Sequence, residues 1–135
     1  MTQTMSTAPA TSRSTSTFMW MARILLGLSG VAGVYGSIYF SFFATPAQGG
    51  VVTAFDWFIA AWAFLTALGS VVVAVLLGRG SSLYVHAAVW LVLAHIVFGA
   101  IKLFGYQESE ALGFFAVDAV ILLLLWLGSR SRTST

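Results

Sequence analysis

The sequence predicts an all-α integral membrane protein, an up-down-up-down four-helix bundle with a disordered N-terminal tail. Three observations carry that expectation. Only 7% of the 135 residues are charged while 59% are hydrophobic, whereas an ordinary soluble domain is about 25% charged. The apolar residues come in four long runs instead of the stripes of an amphipathic helix. Each run approaches the ~20 residues with which an α-helix crosses ~30 Å of hydrocarbon. A water-soluble globule of this size is excluded, because it would need far more polar surface. Disorder is excluded between the tails, because disordered chains lack the aromatic and branched residues that abound here.

Residues 1–17 are mostly Thr, Ser, Ala and Met, with Pro9 and a single charge at Arg13. Such a segment cannot bury enough apolar surface to offset its ordering entropy, so it is expected to stay disordered. The transmembrane domain is expected over 18–128. Its first run, 18–43, stops at Thr45-Pro46-Ala47-Gln48-Gly49-Gly50, where a proline and a diglycine interrupt any helix. The second, 55–78, ends at Gly78-Arg79-Gly80-Ser81-Ser82, a connection short enough to turn the next helix back antiparallel. The third, 83–104, gives way to the polar stretch Gly105-Tyr106-Gln107-Glu108-Ser109-Glu110. The fourth, 111–128, leads into a short basic tail, 129–135. Ser82 and Ser109 are small hydroxyls placed just before apolar runs, as N-caps would be. A β-barrel would alternate apolar and polar residues in segments of ~10, and Val71 to Leu77 and Leu122 to Leu125 do not.

Basic residues set the expected orientation. With the N-terminus in the cytoplasm, Arg13, Arg23, Arg79, Arg130 and Arg132 fall on the inner side and only Lys102 falls outside, which satisfies the positive-inside rule. Both termini are then cytoplasmic, and a cell membrane is the expected location. Phe18, Trp20, Tyr84 and Trp126 stand at the inner ends of the runs, and Tyr39, Phe55, Trp57 and Tyr106 at the outer ends, where interfacial aromatics anchor. The basic residues are scattered singly, which argues against nucleic acid as a partner. The partners the composition allows are the lipid bilayer, a second copy of the chain, or a larger membrane complex.

Small residues recur every four positions at Ser29, Gly33, Ser37 and Ser41, and again at Thr66, Ser70, Ala74 and Gly78. One face of each helix is thereby thinned, so that backbones can approach closely, either inside the bundle or between protomers. Gly27, Gly30, Gly33 and Gly36 thin the first helix further. The face bearing Ser29, Gly33 and Ser37 is expected to make the closest helix contact.

Ionisable residues inside apolar runs carry more information, because a charge in hydrocarbon costs at least ~2.5 kcal/mol. Residues at equal depth in an antiparallel hairpin have a constant index sum, and His95 and Asp118 satisfy that relation about the 105–110 turn. They are expected at one level, as a hydrogen-bonded structural pair or as a proton or cation relay. Lys102 and Glu110 are expected near each other at the outer rim, with Asp56 and Glu108 completing a solvated cluster of charges. His86 lies nine residues before His95, on the opposite helix face, so the two do not form a haem-ligand pair. Cysteine is absent, which removes disulfides and thiolate chemistry. No catalytic triad, phosphate loop or metal-binding motif is legible; neither a metal nor a cofactor is expected.

The opening of the first helix, Arg23-Ile24-Leu25-Leu26-Gly27-Leu28 followed by Gly30 and Gly33, resembles DoxX-like small membrane proteins. That resemblance implies a compact four-helix bundle and, in some members, a membrane-associated redox or accessory role. No functional residue carries over from it. The function expected from the sequence is that of a structural or accessory subunit, or a homo-oligomer, without a catalytic site. The alternatives are a transporter or channel for protons, cations or a small lipophile working through His95 and Asp118, and a DoxX-like redox component.

Overall fold

The computed structural model describes residues 16–44 and 52–131. Helix α1 spans Thr17–Tyr39 and continues as a π-helical turn, Phe40–Ala44; α2 spans Ala54–Leu76 and tightens into a 3₁₀ turn, Leu77–Arg79; α3 spans Ser82–Gly105 and α4 Ala111–Arg130. Each is long and apolar enough to cross a membrane, and no strand occurs among the described residues. The expected tail up to residue 15, the turn around Pro46, and the arginines at 13 and 132 lie outside the described residues. Thr17, assigned to the tail from sequence, is already helical, and Ser16 accepts the Met19 N–H on its Oγ at 3.3 Å. Ser129 and Arg130, expected in the C-terminal tail, complete α4.

The starts of the helices follow from local chemistry. Thr53 and Asp56 form a reciprocal capping box on α2, each side chain accepting the other's backbone N–H, at 3.2 and 2.8 Å. Helix α3 is capped by Ser81 and not by Ser82: Gly80 at φ 76 reverses the chain, leaving Ser81 extended with its Oγ accepting the Leu83 N–H at 3.3 Å. Ser109 does not cap α4. The preceding Glu110 is itself in a helical conformation, so the first turn is closed by backbone bonds from Leu112 to Ser109 and from Gly113 to Glu110.

Each helix packs antiparallel against two neighbours, in the ring α1, α2, α3, α4. Arg23 near the start of α1 donates Nε–H to the Ala74 carbonyl near the end of α2 at 2.9 Å, and the Trp62 indole of α2 donates to the Ala94 carbonyl of α3 at 3.3 Å. Gly99 of α3 faces Phe115 of α4, and Gly128 of α4 lies against the Met19 backbone of α1. The Arg23 guanidinium occupies the space a side chain at residue 78 would need, where it also meets the negative end of the α2 dipole.

The glycines mark a tight α1–α2 seam: at Gly30 an added Cβ would stand 2.7 Å from the Ala67 carbonyl oxygen, and at Gly33 it would meet the Ala67 Cβ at 2.9 Å. Thr66 and Ser70 donate their hydroxyls to carbonyls of their own helix, at 2.9 and 2.8 Å, and Ala74 packs opposite Gly27. The main buried cluster is not central, although Ile59 and Ala111 are buried toward the other end. Met19, Ala22, Leu26, Val73, Leu77, Ala88, Val92, Ile121, Leu124 and Leu125 all lie toward the end that holds the start of α1 and the finish of α4.

Candidate functional site

Toward the opposite end the four helices enclose a cavity of about 760 Å³. It is hollow because α1 offers little volume there: Ser29, Gly33, Gly36 and Ser37 form that wall, and a Cβ at Gly36 would touch nothing within 4 Å. Trp57, Ala60 and Ala63 of α2, His95, Phe98 and Lys102 of α3, and Phe114 and Asp118 of α4 complete the sides. Leu26, Ser70, Val92 and Ile121 close the floor, and Asp56, Tyr106, Glu108 and Glu110 stand at the lip. From Val92 to Lys102 the helical rise makes the cavity ~15 Å deep.

On its wall the His95 Nδ1 lies 2.9 Å from both carboxylate oxygens of Asp118. Asp118 is only 2% exposed. An ionised carboxylate can only accept, so Nδ1 donates and Nε2 is the ring's remaining polar atom. The imidazole stacks over Phe98 and meets the edge of Phe114, with centroids 6.1 and 5.7 Å apart. The ring is thus held by two aromatic neighbours and a carboxylate, with little freedom to turn.

The lip has two polar clasps. The Lys102 ammonium donates to both oxygens of Glu108, at 2.9 and 2.8 Å. Gln107 adopts φ 56, and this left-handed residue folds the turn back so that the Glu108 N–H also reaches the Lys102 carbonyl at 3.2 Å. In the second clasp the Tyr106 phenol donates to Asp56, tying the turn after α3 to the first turn of α2. Partial burial, the bond to Asp56 and the negative charges of Asp56 and Glu108 push the Tyr106 phenol up to about 12, so it stays a donor throughout the physiological range.

Of the small-residue positions, Ser29 and Ser37 line the cavity, Gly33 bridges seam and cavity, and Ser70 reaches the floor. The Ser37 hydroxyl donates to the Gly33 carbonyl at 2.6 Å, so it is satisfied within its own helix. His86 bonds through Nδ1 to the Ser82 carbonyl at 2.8 Å, away from the cavity. Among the described residues, no three His, Asp or Glu side chains converge as metal ligands would. Sequence reasoning missed the Asp56–Tyr106 clasp and the aromatic walls; the Thr-x-x-Asp spacing at 53–56 was the one readable signal that Asp56 is held in place. No family model, curated protein or solved structure matches the chain.

Proposed function

We propose that the protein is a four-span membrane protein, with both termini in the cytoplasm of a cell membrane, that binds a small lipophilic molecule in the cavity of its outer half. The cavity with a buried His95–Asp118 pair on its wall is the observation that carries this reading. Its volume falls within the ~300–1,000 Å³ of small-molecule sites, which combine apolar walls with a few fixed polar groups.

Conduction is the weaker form of the transport reading. Beneath Asp118 lie Leu26, Val92, Ile121, Leu124 and Leu125, all buried and apolar, and Ser70 donates its hydroxyl to its own helix. A proton or ion reaching the pair from the lip would meet no onward polar path in that layer. The reading as a scaffold or accessory subunit drew on the small residues of α1 and α2. Gly30 and Gly33 make their close contacts with α2 of the same chain, so these two positions support packing inside the bundle.

The test is native mass spectrometry after purification in a mild detergent. Wild-type protein is expected to retain an adduct of constant mass that Gly36→Trp, with its side chain in the open space of the cavity, does not. Identical spectra from two equally folded proteins would overturn the binding reading.

A further inference from the structure

The chain has four acidic residues, and all four, Asp56, Glu108, Glu110 and Asp118, line this one cavity, from its lip to its buried wall. Among the described residues Lys102 is the one cationic lysine or arginine on that wall, and it is bound to Glu108. Even with His95 carrying a proton, carboxylates outnumber cations. A concave apolar site focuses such a field, because the surrounding hydrocarbon screens it poorly.

The aromatic wall acts in the same sense. Ring faces attract cations, and the Lys102 ammonium already stands 5.9 Å from the centre of Phe98 and 5.7 Å from that of Tyr106. The protein's own side chain thereby demonstrates how an ammonium sits at this lip. An inorganic ion is a poor fit, since no three His, Asp or Glu side chains converge among the described residues and calcium-like ions need six or more oxygens. A cation that brings its own apolar body fits both the volume and the small-residue wall of α1.

Resting on the reading of the cavity as a small-molecule site, we propose that its ligand class is the lipophilic organic cation, an amine or quaternary ammonium attached to a flat or branched apolar body. The body lies along Ser29, Gly33 and Gly36, and the charge sits between Asp118 and the carboxylates of the lip, against the aromatic rings. Anionic amphiphiles are rejected by the same field.

Three probes of nearly one shape test this on the full chain in nanodiscs of zwitterionic lipid: 2-naphthyltrimethylammonium, its uncharged isostere 2-tert-butylnaphthalene, and 2-naphthalenesulfonate. Binding is measured by equilibrium dialysis, and uptake by Gly36→Trp nanodiscs is subtracted as lipid partitioning. The ammonium is expected to bind roughly tenfold or more tighter than either other probe, the size of one modestly screened charge interaction. Asp118→Asn, which can still accept from His95, is expected to remove most of that preference while leaving the tert-butyl affinity in place. Glu110→Gln is the second variant should Asp118→Asn fail to fold, with a smaller loss of the same sign. Equal binding of all three probes, tighter binding of the sulfonate, or a preference unmoved in every folded carboxylate variant overturns the cation inference and leaves the cavity a lipophile site. Failure of every probe to exceed the Gly36→Trp background overturns both readings.

Discussion

Among the described residues, His95 and Asp118 have each other as side-chain hydrogen-bond partners, so each is expected to depend on the other. Asp118 is buried to 2% exposure, and its hydrogen-bond partner is the imidazole held between Phe98 and Phe114. Replacing one partner strands the other, at a cost of about 3 kcal/mol for a buried pair, whereas removing both leaves apolar groups in contact. His95→Leu and Asp118→Leu are each expected to lower the unfolding midpoint in detergent more than the double substitution does. Strictly additive effects in that thermal cycle would dismiss the dependence. The sequence could bring these two residues to one level because a short turn fixes the register of an antiparallel pair, so depth can be counted inward from it. The partner of Lys102 could not be counted in that way. Gln107 leaves the helical path at φ 56, which returns Glu108 beneath the ammonium, a reversal that counting depth along two straight helices does not contain.

The seam between α1 and α2 is set by backbone proximity. A side chain at Gly30 would collide with the Ala67 carbonyl, which belongs to a helix and cannot step aside, whereas Gly36 opens on empty space. Gly30→Leu is therefore expected to cost about 3 kcal/mol or more and to depress folded yield; Leu123→Phe, at a position 52% exposed, is expected to leave yield and melting unchanged. Thermal scans of the two purified proteins decide it, and equal tolerance would mean that the seam is looser than its geometry implies. Helix number and approximate limits were readable because the length of an apolar run is itself the physical requirement for spanning. The contacting stripe was not readable. Gly27, Gly30, Gly33 and Gly36 overlap Ser29, Gly33 and Ser37 on neighbouring faces, and only the crossing of two particular helices selects between them. Ser81 replaces Ser82 as the cap for a similar reason: the left-handed Gly80 decides which serine is extended.

For the molecule as a whole, the proposed orientation would place the mouth of the cavity on the side away from the cytoplasm. With native cysteine absent, single cysteines at Gln48, Ser82 and Gln107 can report orientation without background. An impermeant maleimide added to intact cells is expected to label positions 48 and 107 and to miss 82; the reverse pattern would invert the proposed topology. The cavity itself was not legible, since no residue encodes a void. It arises where missing volume on α1 faces the walls of α2, α3 and α4, a product of four elements that a linear pattern does not contain. The two ends of the bundle are also held together differently. At one end, spreading the helices would open a packed core and expose large side chains such as Met19, Leu77 and Leu125; at the other, the Tyr106–Asp56 bond ties the turn after α3 to α2, while Lys102–Glu108 closes α3 onto its own following turn. The seam between α2 and α3 is thus fastened by a polar bond at the lip and by apolar packing at the opposite end.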